Sequence, residues 1–568
     1  MENSNAITTG FGRLSAPAPS AAALARPQFR MAIFGDFSGR SARGKMEVGD
    51  ALATRRAIKL DVDTVERVIE GFATELVLPI GPEGTGIGVK LGGLDDLHPD
   101  ELVENVEIFE ALKSLRAQLS NPSTAAAAVR DMQSWGGSFT QPAAATHARS
   151  QATHIPADMK LSDFQKLIGD TSGQLTQASP IADIIGQIIG PHIVPGPNPE
   201  AVALKASVDA AMASLMRLVL HHPNFQALES TWRLLDLLAR RIETDGKLTI
   251  TLYDVSAAEL AADLSGSDDL AQTGLFRLLD EPLQEGTTGF SALFGLYSFE
   301  ETPPHAELLA RLGKIAAHIH APVFTAMQPG FMEVPMKDRH PLTAKAWDKL
   351  RAEPEAAYLG LATPRFMLRR PYGAKTDPID AFKFEEFTQN EGLRGLLWAN
   401  PVGLVAILLA QAWQDGGAKM TLGDVMSLDD IPFHFVTDRH GDQVALPCTE
   451  RNLTEARMQE VLARGYMPVV SIRGRDVVRL ASFQSLAGKQ ITGPWSGAPA
   501  ARPAPTPAPA LSPLDLEMRI PAGAEPAPEP AVAVEDDLDA LLAGFGDMPT
   551  GNDPDSIDAD LAALLEGL

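Results

Sequence analysis

The chain has 568 residues, a single cysteine and a formal net charge of −25. That length gives room for two or three domains, and one cysteine excludes both an internal disulfide and a multi-cysteine metal site. The acidic balance argues against nucleic acid and anionic membrane surfaces, because binding phosphate needs clustered Lys and Arg.

Residues 1–28 place their arginines after the small apolar run, the reverse of a secretory signal. They are expected to be a flexible N-terminal tail of a cytoplasmic protein. Phe29 to Phe37 alternates and ends in a Gly-Asp-x-Ser-Gly turn, which predicts a strand and loop. Asp63 is the expected cap of a helix through Val65, Val68, Ile69 and Phe72. Strands are expected over Leu76 to Ile80 and Ile87 to Leu94. One long helix is expected from about Pro99, with Leu102, Val106, Phe109, Leu112, Leu115 and Leu119 at helical spacing.

From about 135 to 204 the composition is uneven, with one isolated amphipathic stretch at Leu161, Phe164, Leu167 and Ile168. A second folded region follows over 205–489. Its expected helices include Val208 to Leu220 and Phe225 to Ile242, and its expected strands Lys247 to Tyr253 and Phe290 to Ser298. Residues 490–534 are an Ala/Pro-rich linker, in which proline fixes φ and removes donors. The acidic end, 535–568, has no Lys or Arg. There Asp537-Leu-Asp-Ala-Leu-Leu-Ala-Gly544 is echoed by Asp560-Leu-Ala-Ala-Leu-Leu-Glu-Gly567. Leu538, Leu541 and Leu542, like Leu561, Leu564 and Leu565, share one side of a short helix too short to be stable alone. Two readings stay open: a solvating acidic tail, or paired docking motifs that fold on a partner's groove.

No catalytic constellation emerges. Gly81-Pro-Glu-Gly-Thr-Gly-Ile-Gly88 lacks the Gly-Lys-Ser/Thr of a phosphate loop and leads into a strand, so a turn between strands is expected. His221 and His222 are adjacent and cannot share a helix face; they are read as favourable charge at a helix C-terminus. His318 and His320 diverge for the same reason. Cys448 is read as a buried small hydrophobe, and Asp36 as a turn-stabilising aspartate. The chain is expected to be no enzyme and to carry no cofactor or metal.

Phe34-Gly-Asp-Phe-Ser-Gly39, Arg56-Ala-Ile-Lys-Leu-Asp61 and the Asp95 to Leu119 stretch resemble the small subunit of the type VI secretion contractile sheath. Leu220-His-His-Pro-Asn-Phe-Gln-Ala-Leu-Glu-Ser-Thr-Trp-Arg233, Gly289 to Gly295, Ala317 to Phe324 and Tyr358 to Lys375 resemble the large sheath subunit. So do Leu397-Trp-Ala-Asn-Pro401, Pro447 to Glu450 and Gly465 to Pro468. The resemblance implies an α/β (mixed α+β) fold class: two contractile-sheath-like α/β domains packed together, at 29–134 and 205–489, with disordered N- and C-terminal tails. It also implies a non-enzymatic sheath component that contracts around an inner tube. The implied partners are other sheath subunits or copies of the chain, an inner-tube protein, baseplate proteins and an AAA+ recycling ATPase. Leu161 to Ile168 matches the place of the helix that such an ATPase engages; an ordinary linker helix is the other reading. The alternative function is a sheath-like accessory that docks on the sheath or baseplate and recruits a partner through its acidic motifs.

Overall fold

Phe29–Gly35 forms a strand (β1) that is buried at nearly every residue, as expected where both faces of a sheet are covered. The computed structural model describes residues 11–19, 28–80, 86–135, 189, 201–285, 288–388, 392–437 and 443–496. After β1 come a helical turn, α1 (Asp50–Ala53), then β2 (Ile58–Leu60) and α2 (Val65–Phe72). Next are β3 (Thr74–Leu78) and β4 (Ile87–Leu91), an antiparallel pair with Leu76 opposite Val89. Of the glycine-rich run expected to turn between them, residues 81–85 lie outside the described set.

Two local expectations are corrected. The N-cap of α2 is Thr64, with no side-chain cap bond, so Asp63 does not cap it; the Asp63 amide instead turns back to Asp61 Oδ1 at 3.0 Å. The expected long helix is two, α3 (Pro99–Asn105) and α4 (Glu107–Ser120), with Val106 between them in an extended conformation. At 100° per residue, Val103 would face away from Ile108, Leu112 and Leu119 on one straight helix. The break turns Val103 and that set into the same core.

The helix α5 (Ala125–Trp135) closes the first region. The second begins with α6 (Ala201–Leu220) and α7 (Pro223–Arg241), followed by β5 (Leu248–Asp254), α8 (Ala257–Ser265) and α9 (Gly274–Gln284). Then come β6 (Ala292–Phe299), α10 (Pro303–His318), β7 (Val323–Met327), α11 (Pro341–Ala352) and β8 (Leu359–Thr363). Short strands β9 (Phe366–Met367) and β10 (Trp398–Ala399) pair with each other ahead of α12 (Val402–Gly416). The chain continues through β11 (Ser427–Leu428), β12 (Phe435–Thr437), β13 (Gln443–Ala445), α13 (Glu455–Ala463), β14 (Met467–Ser471) and β15 (Val478–Leu480). Val402 to Ala410 are buried without interruption, the mark of a helix enclosed on all sides.

Nine strands make one sheet in the order β11-β15-β14-β8-β7-β6-β1-β5-β2. The first-region strand β1 therefore lies between two strands of the second. It is parallel to both, with Met31 beside Ile250 on one side and Ala292 on the other. The two regions share a sheet, a closer union than two packed domains. Alternation along β1 feeds both layers. Phe29, Met31 and Ile33 join the core with α2, α4, α6, α7 and α12. Ala32 and Phe34 join the opposite core with α8, α9, α10 and α11.

Part of the segment expected to be a flexible tail is packed. Phe11 is buried, and Lys349 Nζ lies 4.2 Å from its ring centroid. The Arg13 amide donates to the Asp268 carbonyl at 2.8 Å, and Leu270 donates back to Arg13 at 2.8 Å. A single aromatic anchor and a short backbone ladder suffice to fix this stretch on the second region.

The seam between the regions is also tight at Gly274, where an added Cβ would lie 2.3 Å from the Gly49 carbonyl and 2.8 Å from Leu52 Cβ. Gly274→Ala is expected to cost about 2 kcal/mol by overpacking. Urea denaturation checks this; an unchanged midpoint would show that α1 yields freely.

Candidate functional site

The turn that follows β1 is built by its own aspartate. Asp36 Oδ1 accepts the Arg40 amide at 2.6 Å and Oδ2 accepts the Ser41 amide at 2.8 Å. This is the turn role expected from sequence. Gly39 has φ +70 and Leu76 Cδ2 3.3 Å from where a Cβ would stand, so the turn needs glycine. The second region holds the rest of the turn. Asp254, the last residue of β5, accepts the Phe37 amide at 2.8 Å and the Ser38 hydroxyl at 2.7 Å. Trp232 Nε1, on α7, donates to the Phe37 carbonyl at 2.8 Å, and the indole is fully buried.

Beside the turn lies a buried ionic cluster. Glu259 closes a capping box with Ser256 at the start of α8, a fold signal carried by Ser-x-x-Glu. Its carboxylate has 0% exposure and accepts Arg40 Nη2 at 2.7 Å, Arg55 Nη2 at 3.2 Å and the Glu47 amide at 3.0 Å. One turn further on, Asp263 accepts the Gly49, Gly274 and Leu275 amides at 2.8, 2.9 and 2.8 Å. The acidic face of α8 thus receives the 40–55 segment of the first region. Burial works against the Arg40 charge, but Glu259 outweighs it and holds the guanidinium above its ordinary value. Burial pushes the Asp36 carboxyl up to about 7, with Asp254 adding to the rise against the Ser41 and Arg40 amides.

A second cluster joins segments far apart in the chain. Arg369 Nε donates to Glu229 at 2.7 Å and Nη1 to Glu386 at 2.7 Å. Glu386 also accepts the Tyr372 amide at 2.8 Å and has His221 Nε2 at 3.6 Å. Burial would raise the Glu386 carboxyl, yet Arg369 and His221 hold it at about 2. Ser230 Oγ adds a 2.8 Å bond to the Trp398 carbonyl. Two of the segments that resemble the large sheath subunit, around His221 to Arg233 and Arg369 to Tyr372, therefore meet at one buried charge network, and Ser230 ties a third, at Trp398, beside it.

Below the sheet a space of about 30 Å³, lined by Phe34, Leu260, Tyr297 and Leu312, has room for about one water. The arrangement of both clusters binds one part of the chain to another.

His222 corrects its expected role. Its Nδ1 accepts the Asn224 amide at 3.2 Å and caps the N-terminus of α7, with Pro223 at the first helical position. Burial lowers its pKa, in keeping with a neutral acceptor rather than a cation. His318 and His320 diverge as expected, toward Asp280 at 3.0 Å and the Tyr358 hydroxyl at 2.8 Å. Cys448 is buried, and burial raises its thiol pKa. Among the described residues no group of His, Cys, Asp and Glu is arranged to hold a metal, and no helix is long and apolar enough to cross a membrane. Leu161, Phe164, Leu167, Ile168, Leu538, Leu541, Leu542, Leu561, Leu564 and Leu565 lie outside the described residues. The sequence reading passed over Arg40, Arg55, Glu229, Glu259 and Arg369. The Ser256-x-x-Glu259 box was the available signal for one of them.

Comparison with known families places this buried seam. Residues 203–487 match the family described as EvpB/VC_A0108, tail sheath N-terminal domain. That is half of the chain, which belongs to this family. Residues 25–134 match a second family, Type VI secretion system, VipA, VC_A0107 or Hcp2. The chain is thus a fusion of small-sheath and large-sheath regions. It is 33% identical over 300 residues to the type VI secretion system sheath protein TssC1 of Pseudomonas aeruginosa. The match takes in 50% of this chain and 60% of that relative's length.

Two outcomes follow from the seam. Glu259→Ala leaves Arg40 and Arg55 without their buried anion, a change that costs about 3 kcal/mol or more; chemical denaturation and faster proteolysis within 36–55 read it. Asp36 titrates at about 7 when folded, against 3.8 ordinarily, so the native state binds more protons across that window. Its contribution to stability therefore falls as pH rises from about 4 to about 7 and then levels off. Asp36→Asn should flatten this slope in urea midpoints compared across that range. An equal slope in both proteins would remove Asp36 as its source.

Proposed function

We propose that this chain is a structural component of a bacterial type VI secretion contractile sheath, assembling around an inner tube in the cytoplasm and contracting to drive effector delivery. The observation that carries the reading is β1, a strand of the small-sheath region, lying between β5 and β6 of the large-sheath region. The pair acts as one folded building block. Fusion makes the association intramolecular, with an effective concentration of roughly millimolar for a suitable linker, and fixes a one-to-one ratio. Copies of the chain or other sheath subunits then stack through heterologous contacts, which build open helical assemblies rather than closed dimers. The proposal extends to an inner-tube protein, baseplate proteins and an AAA+ recycling ATPase that engages Leu161 to Ile168.

One feature favours a second reading, an accessory that docks on a sheath or baseplate. The sheath match ends at residue 487, and an acidic segment with two leucine motifs follows further on.

Negative-stain microscopy of the purified chain, alone and with the inner-tube protein, tests the two. Tubules or stacked rings are expected of a sheath building block. Particles that only decorate the end or side of another sheath would replace it with the accessory reading.

A further inference from the structure

Two of the large apolar side chains exposed among the described residues belong to one short stretch: Val334 at 43% and Leu342 at 45%. The loop that carries Val334 is held from beneath. Arg464 is 1% exposed; it donates through Nη1 to the Phe331 carbonyl at 3.0 Å and through Nη2 to the Val334 carbonyl. Its guanidinium carbon also lies 4.9 Å from the Phe331 ring centroid. The Met336 amide is fixed on Glu460 at 3.0 Å. With its carbonyl tied inward, Val334 is pinned with its side chain toward solvent.

The next element repeats the pattern. On α11, Ala346, Trp347 and Leu350 are buried. Leu342, Lys345 and Lys349 are exposed and recur at i, i+3 and i+7, one stripe of the outer face. Residues 333–351 carry five Lys or Arg against three Asp or Glu, a local charge of +2 in a chain of −25. The stretch is therefore held in place, apolar at two exposed points and basic along the outer stripe of α11.

We propose that this face, Val334 and the outer stripe of α11, is the docking site for the acidic C-terminal segment of the chain, supplied by the same molecule or by a neighbouring copy. The chemistry matches on both counts. Residues 535–568 contain ten Asp or Glu and no Lys or Arg, and the leucines of each motif recur at i, i+3 and i+4. A helical turn with that spacing presents an apolar ridge flanked by carboxylates. Laid on α11, the leucines meet Val334 and Leu342 while the carboxylates meet Lys337 and Lys345. Reach is no obstacle. Residues 497–534 separate the last described residue from the segment, and a Pro-rich chain extends by about 3.1 Å per residue, on the order of 100 Å here. Two motifs per chain against one such face leave a motif for a neighbour, so the same contact can tie copies together. This inference stands independently of the sheath reading.

The test uses the full chain with a photoreactive phenylalanine analogue in place of Phe545, directly after the first motif. Crosslinked peptides, identified by mass spectrometry, are expected within 331–351. Yield should fall at least five-fold in Leu342→Asp and in Lys345→Glu, two exposed positions whose substitution leaves the thermal midpoint unchanged. Lys345→Glu combined with Asp539→Lys should recover part of the loss. Adducts at monomer mass assign the contact to the same molecule and adducts at dimer mass to a neighbouring copy; either supports the proposal. Crosslinks confined to other surfaces, or a yield that neither substitution changes, would overturn it.

Discussion

The insertion of β1 between β5 and β6 is the contact on which the other features depend. The second region reaches β6 from β5 through α8 and α9, and leaves a gap two strand spacings wide, about 9.6 Å. β1 fills it parallel to both neighbours, with seven residues in register against β5. Without it, two hydrogen-bonded ladders and both hydrophobic layers would be interrupted at the middle of the sheet. Because β1 is fixed on both sides, the turn after it has one place to go. That place lies over the end of β5 and the start of α8, where Asp254, Glu259 and Asp263 wait with their carboxylates.

Across that seam Arg40 and Arg55 of the first region meet Glu259 of the second, and Glu47 adds a first-region carboxylate to the same two arginines. Coulomb attraction in a buried site is roughly balanced by the loss of hydration, so such clusters add less to stability than their short distances suggest. Their stronger effect is to penalise mismatched arrangements. A β1 shifted by one residue would send Phe29, Met31 and Ile33 to the wrong face, and would also strand Arg40 and Glu259 without partners. The Glu229–Arg369–Glu386 network acts alike within the second region. This accounts for the conspicuous polar motifs: the residues around Asp36, His221 and Arg369 are polar because they close buried junctions.

Much of the local structure was legible in the sequence. Periodicity of 3.6 marked α6 and α7, alternation marked β1, and the Gly-Asp-x-Ser-Gly turn pointed to the role of Asp36. The failures have distinct physical origins. Apolar spacing alone did not reveal the break at Val106, because the two halves look continuous until the faces are projected around the axis. His222 precedes Pro223, and a helix end and a helix start read alike when two helices abut at a proline. The insertion of β1 was beyond reach for a deeper reason. Phe29 pairs with Leu248, 219 residues away, and strand order in a parallel sheet is set by long-range packing. A run of buried apolar residues reads the same at the centre of its own domain as at the centre of another.

Covalent linkage also changes the thermodynamics of that insertion. Two separate chains would have to overcome about 4–15 kcal/mol of lost translational and rotational freedom before the ladders on either side of β1 formed. In one chain that cost becomes loop closure across residues 136–200, which grows by only about 0.6 kcal/mol for each doubling of length. A long connection is therefore well tolerated, and its sequence is left open to other demands. The sheet that results ends in very short strands, three residues in β2 and two in β11. Edges this short offer few unpaired groups to a neighbouring strand. Among the described residues, then, the two edges of the central sheet leave little room for a further strand.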